Sequence, residues 1–144
     1  EIHAAAKSAN IELKGVIVAE YVRGMRELMI GARVDPVFGP IVLVGDGGKY
    51  VEAMPDLQVL IPPFSQQDAV EALYRLRIAP LLDGVRGDLP LDVNAFCQAA
   101  VAVGCLMVDE KLGINQLDIN PIMVGSLGQG CTALDAVIYR KEIE

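Results

Sequence analysis

The stretch "QLDINPIMVGSLGQGCTALDAVI", Gln116 to Ile138, holds two apolar, alternating runs around a loop of three glycines. Its Val, Ile and Leu content at a period of two favours strands over helix, and the loop "GSLGQG" joins them as a hairpin. Pairing the runs symmetrically about the loop centre sets Asn120 opposite Asp135. Gln116, Asp118 and Asn120 then share one face, while Leu117 and Ile119 point to the other with Leu134, Ala136 and Ile138 across from them. Two carboxylates and an amide oxygen within mutual reach form a hard-oxygen set suited to Mg²⁺ held partly by protein and partly by phosphate oxygens and water. Neighbouring aspartates without a cation would repel. The plainer alternative is the solvent-facing side of an edge hairpin.

Further strands are expected upstream, at Gly15 to Val22, Arg26 to Val34, Pro40 to Gly45 and Lys49 to Met54. Asp35, Pro36, Gly39 and Pro40 mark one connecting loop and "DGG" another, and connections this short imply antiparallel neighbours. After "IPPF" the period changes. Ser65 and Asp68 form a capping box with Asp in place of Glu, opening a helix that carries Val70, Leu73, Tyr74 and Leu76 to about Arg77. A second helix is expected from near Asp92 to about Lys111, apolar nearly all round and hence buried on several sides, with "GDLP" barring an earlier start. The fold class is α+β: a mostly antiparallel sheet with packed helices, in one domain spanning 1–144.

The composition agrees with one packed core. A length of 144 residues, 53% hydrophobic, suffices to bury roughly two thirds of the unfolded surface. The longest uncharged apolar run, Ala95 to Val108, falls short of the ~20 residues of a membrane span. The N-terminus lacks the basic start and apolar middle of a signal peptide and begins without methionine, as a fragment would. Three cysteines, Cys97, Cys105 and Cys131, make no CxxC pair and point to a reducing, cytoplasmic location, and all three, the first two eight apart on the apolar helix, read as core residues. A net charge of −7 with no basic cluster disfavours nucleic acid and anionic membrane as partners.

Other polar sets carry less. In "VIVAEYVRGMRE" a strand ends in Glu20 and resumes with Arg26 and Glu27. A carboxylate at a strand exit can accept bonds from ribose hydroxyls, and freed backbone at Tyr21 and Val22 can pair with an adenine edge; ordinary hairpin charges would give the same pattern. "VGDGGKYVE" fits neither GxGxxG nor GxxxxGK[ST], so it reads as a turn needing positive φ, from which Lys49 could still reach an anion. His3, the single histidine, sits at the N-terminus as a solvated residue, and no Ser/His/Asp or Cys/His arrangement can be built.

Taken together, "GVIVAEYVRGMRELMIGARVDPVFGPIVLVGDGGKYVEAMPD", "PLLDGVRG" and "LDINPIMVG…ALDAVI" resemble the ATP-grasp part of nucleotide-diphosphate-forming acyl-CoA synthetases of the ADP-forming acetyl-CoA synthetase type, and more distantly the β subunit of succinyl-CoA synthetase. The resemblance runs from about Gly15 to Ile138. It implies the C-terminal half of an ATP-grasp module, without its N-terminal half or the CoA-binding domains. It also implies a ligase that interconverts acyl-CoA, ADP and phosphate with acid, CoA and ATP, passing the phosphoryl group through a phosphohistidine in a CoA-binding domain or subunit. The isolated fragment would be inactive, and oligomers could form. By position, Glu20 corresponds to a ribose-binding glutamate, Tyr21 and Val22 lend backbone to adenine, and Glu27 lies near the nucleotide. Asn120 and Asp135 correspond to the Mg²⁺ ligands, with Asp118 assisting the metal. The cofactors implied are ATP or ADP and Mg²⁺.

Three positions depart from the family pattern: Ala19 stands for a usual Gln, Leu60 for a frequent Arg, and Val137 for an Arg after "DA". Two fewer cations near phosphates would weaken stabilisation of the transferring charge. A second implied role is therefore a regulatory or scaffold module, of the kind fused to protein lysine acetyltransferases, without turnover.

Overall fold

The computed structural model describes residues 1–48 and 53–141. One antiparallel sheet organises them. Its strands are β1 (Arg26–Asp35), β2 (Gly39–Asp46), β3 (Leu57–Leu60), β4 (Ile114–Val124), β5 (Cys131–Ala133) and β6 (Ala136–Arg140). The order is β3-β2-β1-β4-β5, with β6 continuing the line of β5 along β4. The helices are α1 (Ile2–Ser8), α2 (Gln66–Leu73), α3 (Ala79–Leu82) and α4 (Val93–Val108).

Period-two alternation assigns the faces. Leu28, Ile30 and Ala32 of β1 join Val42 and Val44 of β2 in the same core cluster as Leu73 of α2 and Phe96, Ala100 and Val103 of α4. Glu27, Met29, Gly31 and Leu43 alternate to the far face, away from these helices. Along β4 the core-facing set is Leu117, Ile119, Ile122 and Val124, a sequence that changes phase once. The cause is a bulge: β1 runs Leu28, Met29, Ile30 while its β4 partners jump from Ile122 to Ile119, so Asn120 and Pro121 together stand opposite Met29. The Asn120–Pro121 peptide there is cis. Bulges re-aim side chains, and this one falls on a candidate metal ligand.

The α+β class with a mostly antiparallel sheet holds. The strands expected at 26–34 and 40–45 form within a residue of their expected ends, and the Ser65–Asp68 capping box is present in both directions. Other expectations are corrected. Residues 15–22 form no strand: Ile17 and Val18 are 94% and 93% exposed, and no described segment offers them a backbone ladder. Of the expected strand 49–54, residues 49–52, Lys49 included, lie outside the described ones, while Ala53 and Met54 form a turn and bend. The edge strand β3 has too few residues to show a period. The helix from Ser65 stops at Leu73, where a tight turn leads into the four-residue α3. The helix from Asp92 ends at Val108 and passes through a single 3-10 turn, Glu110–Leu112, that closes on left-handed Gly113. That helix is buried on one side only: Cys97 is in the core, its thiol pushed up to about 12 by burial, whereas Cys105, Leu106 and Val108 face out.

Candidate functional site

The hairpin register follows the symmetric pairing. Ile119 lies opposite Ala136 on one side and Ile122 opposite Ala133 on the other, and the Leu134 N–H donates to the Pro121 carbonyl at 3.0 Å. Asn120 and Asp135 thus sit across from each other where the outer strand breaks into β5 and β6. The expected continuous strand is interrupted at Leu134 and Asp135, opposite Asn120 and Pro121, where Pro121 has no N–H to give the ladder. Leu134 and Ile138 are exposed rather than core.

Glu27 and Asn120 come together on the far face, and Asp118 lies on the same face further along β4. The "DGG" turn after β2 folds back over the end of β1. The Gly47 N–H donates to the Glu27 carbonyl at 3.1 Å, and the Gly48 N–H donates to Asn120 Oδ1 at 3.0 Å. Added Cβ atoms show how close this approach is: one on Gly47 would lie 2.6 Å from the backbone of Leu28, and one on Gly48, at φ +76, would run into the Glu27 carboxylate. The phosphate-loop reading fails on the same bonds, because both glycine N–H groups are spent inside the protein. Asp118 lies across from Gly31 on β1 and Val137 on β6, and its Oδ1 stands 3.7 Å from where a Gly31 Cβ would be.

The cation pattern also resolves. Val137, in register with Asp118, occupies the same face as the candidate ligands, so its missing charge bears on the site. Leu60 pairs with Val42 and packs against the core, so a cation at that position would not reach the far face. Arg26 turns to the helix side and binds Asp46 at 2.8 Å. A cavity of about 380 Å³ opens between Glu27, Gly47 and Met123, with Arg26 and Asp46 at its rim. A larger one, about 520 Å³, lies between α1 and residues 10–13, remote from every candidate and walled by one local segment, so it is not the site.

Glu20 and Tyr21 are exposed and Val22 half-buried on the segment before the sheet, which joins it at Gly24 and at the Met25 N–H bond to the Val124 carbonyl. No strand pairing or hydrogen bond among the described residues ties these three to the far face. Among the described residues no group of three or more His, Cys, Asp or Glu could hold a metal alone.

One residue escapes any reading of the sequence for chemistry. Asp92, expected only as a helix start, caps α4 by accepting from Ala95 N–H at 3.2 Å, and its other oxygen accepts from Gly128 and Gly130 N–H, each at 2.9 Å. It therefore anchors the hairpin loop that carries Asn120 and Asp135. These bonds, Gly130's first and then Ala95's, hold its carboxyl below the ordinary range. A carboxylate with a depressed folded pKa contributes stability above its unfolded pKa of about 3.9 and loses it as pH falls through the folded value. Asp92→Asn turns an NH₂ toward a backbone donor and is expected to lower the thermal midpoint. The gap from wild type should be full at pH 7 and shrink below about pH 4. A gap independent of pH would assign the loss to packing instead.

Comparison with known proteins gives a consistent picture. A family model described as an ATP-grasp domain matches residues 1–139. The chain is 37% identical over 127 residues to 4-hydroxybutyrate–CoA ligase (ADP-forming) of Nitrosopumilus maritimus, covering 88% of this chain and 18% of that protein. It is 34% identical over 143 residues to the β subunit of acetate–CoA ligase (ADP-forming) II of Pyrococcus furiosus, covering 98% and 61%. Among solved structures it resembles the apo form of the dinucleotide-forming acetyl-coenzyme A synthetase 1 of Ca. Korarchaeum cryptofilum, with a TM-score of 0.80 at 31% identity over 97% of this chain and 64% of that one. The same protein in complex with coenzyme A and Mg-AMPPCP, its phosphohistidine segment pointing towards the nucleotide binding site, gives 0.77 at 34% identity over 84% and 55%. The chain thus spans less than two thirds of each of these proteins.

Proposed function

The chain belongs to the ATP-grasp domain family, and from that premise we propose that it is the C-terminal half of an ATP-grasp module, the nucleotide- and Mg²⁺-binding part of an NDP-forming acyl-CoA synthetase. The whole protein would interconvert acyl-CoA, ADP and phosphate with acid, CoA and ATP. The observation that carries this reading is the bulged hairpin, which sets Asn120 across from Asp135 and beside Glu27 on the face the helices leave free. The relatives' names support it: two ADP-forming CoA ligases, and an acetyl-coenzyme A synthetase in complex with coenzyme A and Mg-AMPPCP.

In this reading Asn120 and Asp135 hold the metal and Asp118 assists, while Glu20 takes the ribose hydroxyls and the backbone of Tyr21 and Val22 meets adenine. Glu27, beside the cavity under the "DGG" turn, lines the nucleotide. The donor set fits: two carboxylates and an amide oxygen are hard ligands, too few to complete an octahedron without phosphate or water. Bound Mg²⁺ would supply charge neutralisation for the transferring phosphoryl group. As in the related synthetase whose phosphohistidine segment points towards the nucleotide binding site, the phosphoryl group would pass through a histidine of a CoA-binding domain or subunit. The preceding half of the module would cover the nucleotide from the other side. A reducing cytoplasm suits the three free cysteines.

Because half the nucleotide's contacts would come from that preceding half, the isolated chain is expected to bind Mg·ADP more weakly than about 1 µM. Calorimetric titration with and without EDTA checks this. Tight binding that ignores the chelator would contradict both the missing half and the metal.

A further inference from the structure

We infer that the Gly48 amide is a positioning group for Asn120, and that the "DGG" turn exists to present it. The inference rests on the metal reading above and assigns this turn a place in it. An asparagine amide can point either end outward, and only its oxygen is a metal ligand. Here a backbone N–H, which can only donate, meets the side chain at 3.0 Å, so the atom on that side must be the oxygen. One lone pair of Oδ1 is taken by Gly48, and the second, without a partner among the described residues, is the one that would meet a cation. The bulge gives Asn120 no strand partner of its own on β1, so the amide would swing without this tether.

The turn is built for the approach. Gly45 leaves no room for a side chain against Asp56 and Leu57, Gly47 none against Leu28, and Gly48 adopts φ +76 where an added Cβ would meet the Glu27 carboxylate. Three glycines in four positions thus bring one N–H across β1 to a residue of β4. A hairpin turn needs no such crossing. Outer-shell partners of this kind orient ligands, and their loss costs about 10–100-fold in metal affinity.

The test uses amide-resolved NMR of the chain with Mn²⁺ as the probe, alone and with a non-hydrolysable ADP analogue. In the metal-free chain the Gly48 amide should be protected from exchange in wild type and Asn120→Asp, which keeps the acceptor, and unprotected in Asn120→Ala. Adding Mg²⁺, the diamagnetic stand-in for Mn²⁺, should leave the Gly48 bond in place. Gly48→Ala, which drives a methyl into Glu27, should weaken Mn²⁺ binding about 10–100-fold with Asn120 intact. Should that variant unfold, Glu27→Ala combined with Gly48→Ala removes the clash, and the exchange data on the wild type stand regardless. Gly48 protection that is absent in wild type, or lost on loading Mg²⁺, overturns the positioning role. So does wild-type Mn²⁺ affinity in a folded Gly48→Ala chain. No Mn²⁺ binding by wild type, even with nucleotide, would instead remove the metal reading and this inference with it.

Discussion

Replacing either Asn120 or Asp135 by alanine in the whole protein should reduce phosphate- and ADP-dependent ATP formation from acyl-CoA by at least about 100-fold, a loss as large as outer-shell changes cause at metal sites or larger. The reason is geometric. The two residues face each other across the gap between β5 and β6, flanked by in-register pairs on both sides, so each is positioned by a ladder that the substitution leaves intact. What disappears is an oxygen donor at a charge-dense ion, and with it the neutralisation of the transferring phosphoryl group. The thermal midpoint should barely move for Asp135→Ala, since its side chain is exposed and makes no hydrogen bond among the described residues. Two outcomes separate the alternatives. Unchanged activity in both variants would sink the metal assignment, whereas loss in both with normal folding is the expected result. Val137→Arg, on the same face and in register with Asp118, offers a complementary gain: turnover should rise if the usual cation is what the site lacks.

The largest effect on stability is expected at Phe96. It is fully buried on α4 within the cluster that joins that helix to β1, β2 and β4, so truncation leaves a cavity between helix and sheet. Phe96→Ala should cost about 3–5 kcal/mol by chemical denaturation. For a chain of this size that is a fall of roughly 10 °C or more in midpoint. Cys105→Ala on the outer side of the same helix supplies the contrast, with a change within about 0.5 kcal/mol. Equal costs at the two positions would mean that α4 does not present the face described here.

Much of the site was readable along the chain. Alternation in "QLDINPIMVG" and the glycine loop after it sufficed to pair Asn120 with Asp135, because hairpin register follows from loop position and side-chain phase alone. The Ser65 capping box and the ends of β1 and β2 were legible for the same local reason. The failures share a cause too. The apolar alternation of 15–22 promises a strand, yet a strand needs a partner's backbone, and none of the described residues provides it. Leu60 looked like a lost cation, but its direction depends on β3 pairing with β2, which four residues could not announce. Asp92 looked like a helix cap, and its bonds to Gly128 and Gly130 join positions 36 and 38 residues apart.

By itself, then, the sequence determined the class, the hairpin and the candidate oxygen donors, since period, turn chemistry and residue type are short-range properties. Only the tertiary structure decided which face those donors occupy and what holds them there. The bulge at Asn120–Pro121 takes its meaning from β1, and the "DGG" turn reaches Asn120 by crossing that strand. Both depend on backbone meeting backbone across distant parts of the chain, where close approach, not local preference, sets the outcome.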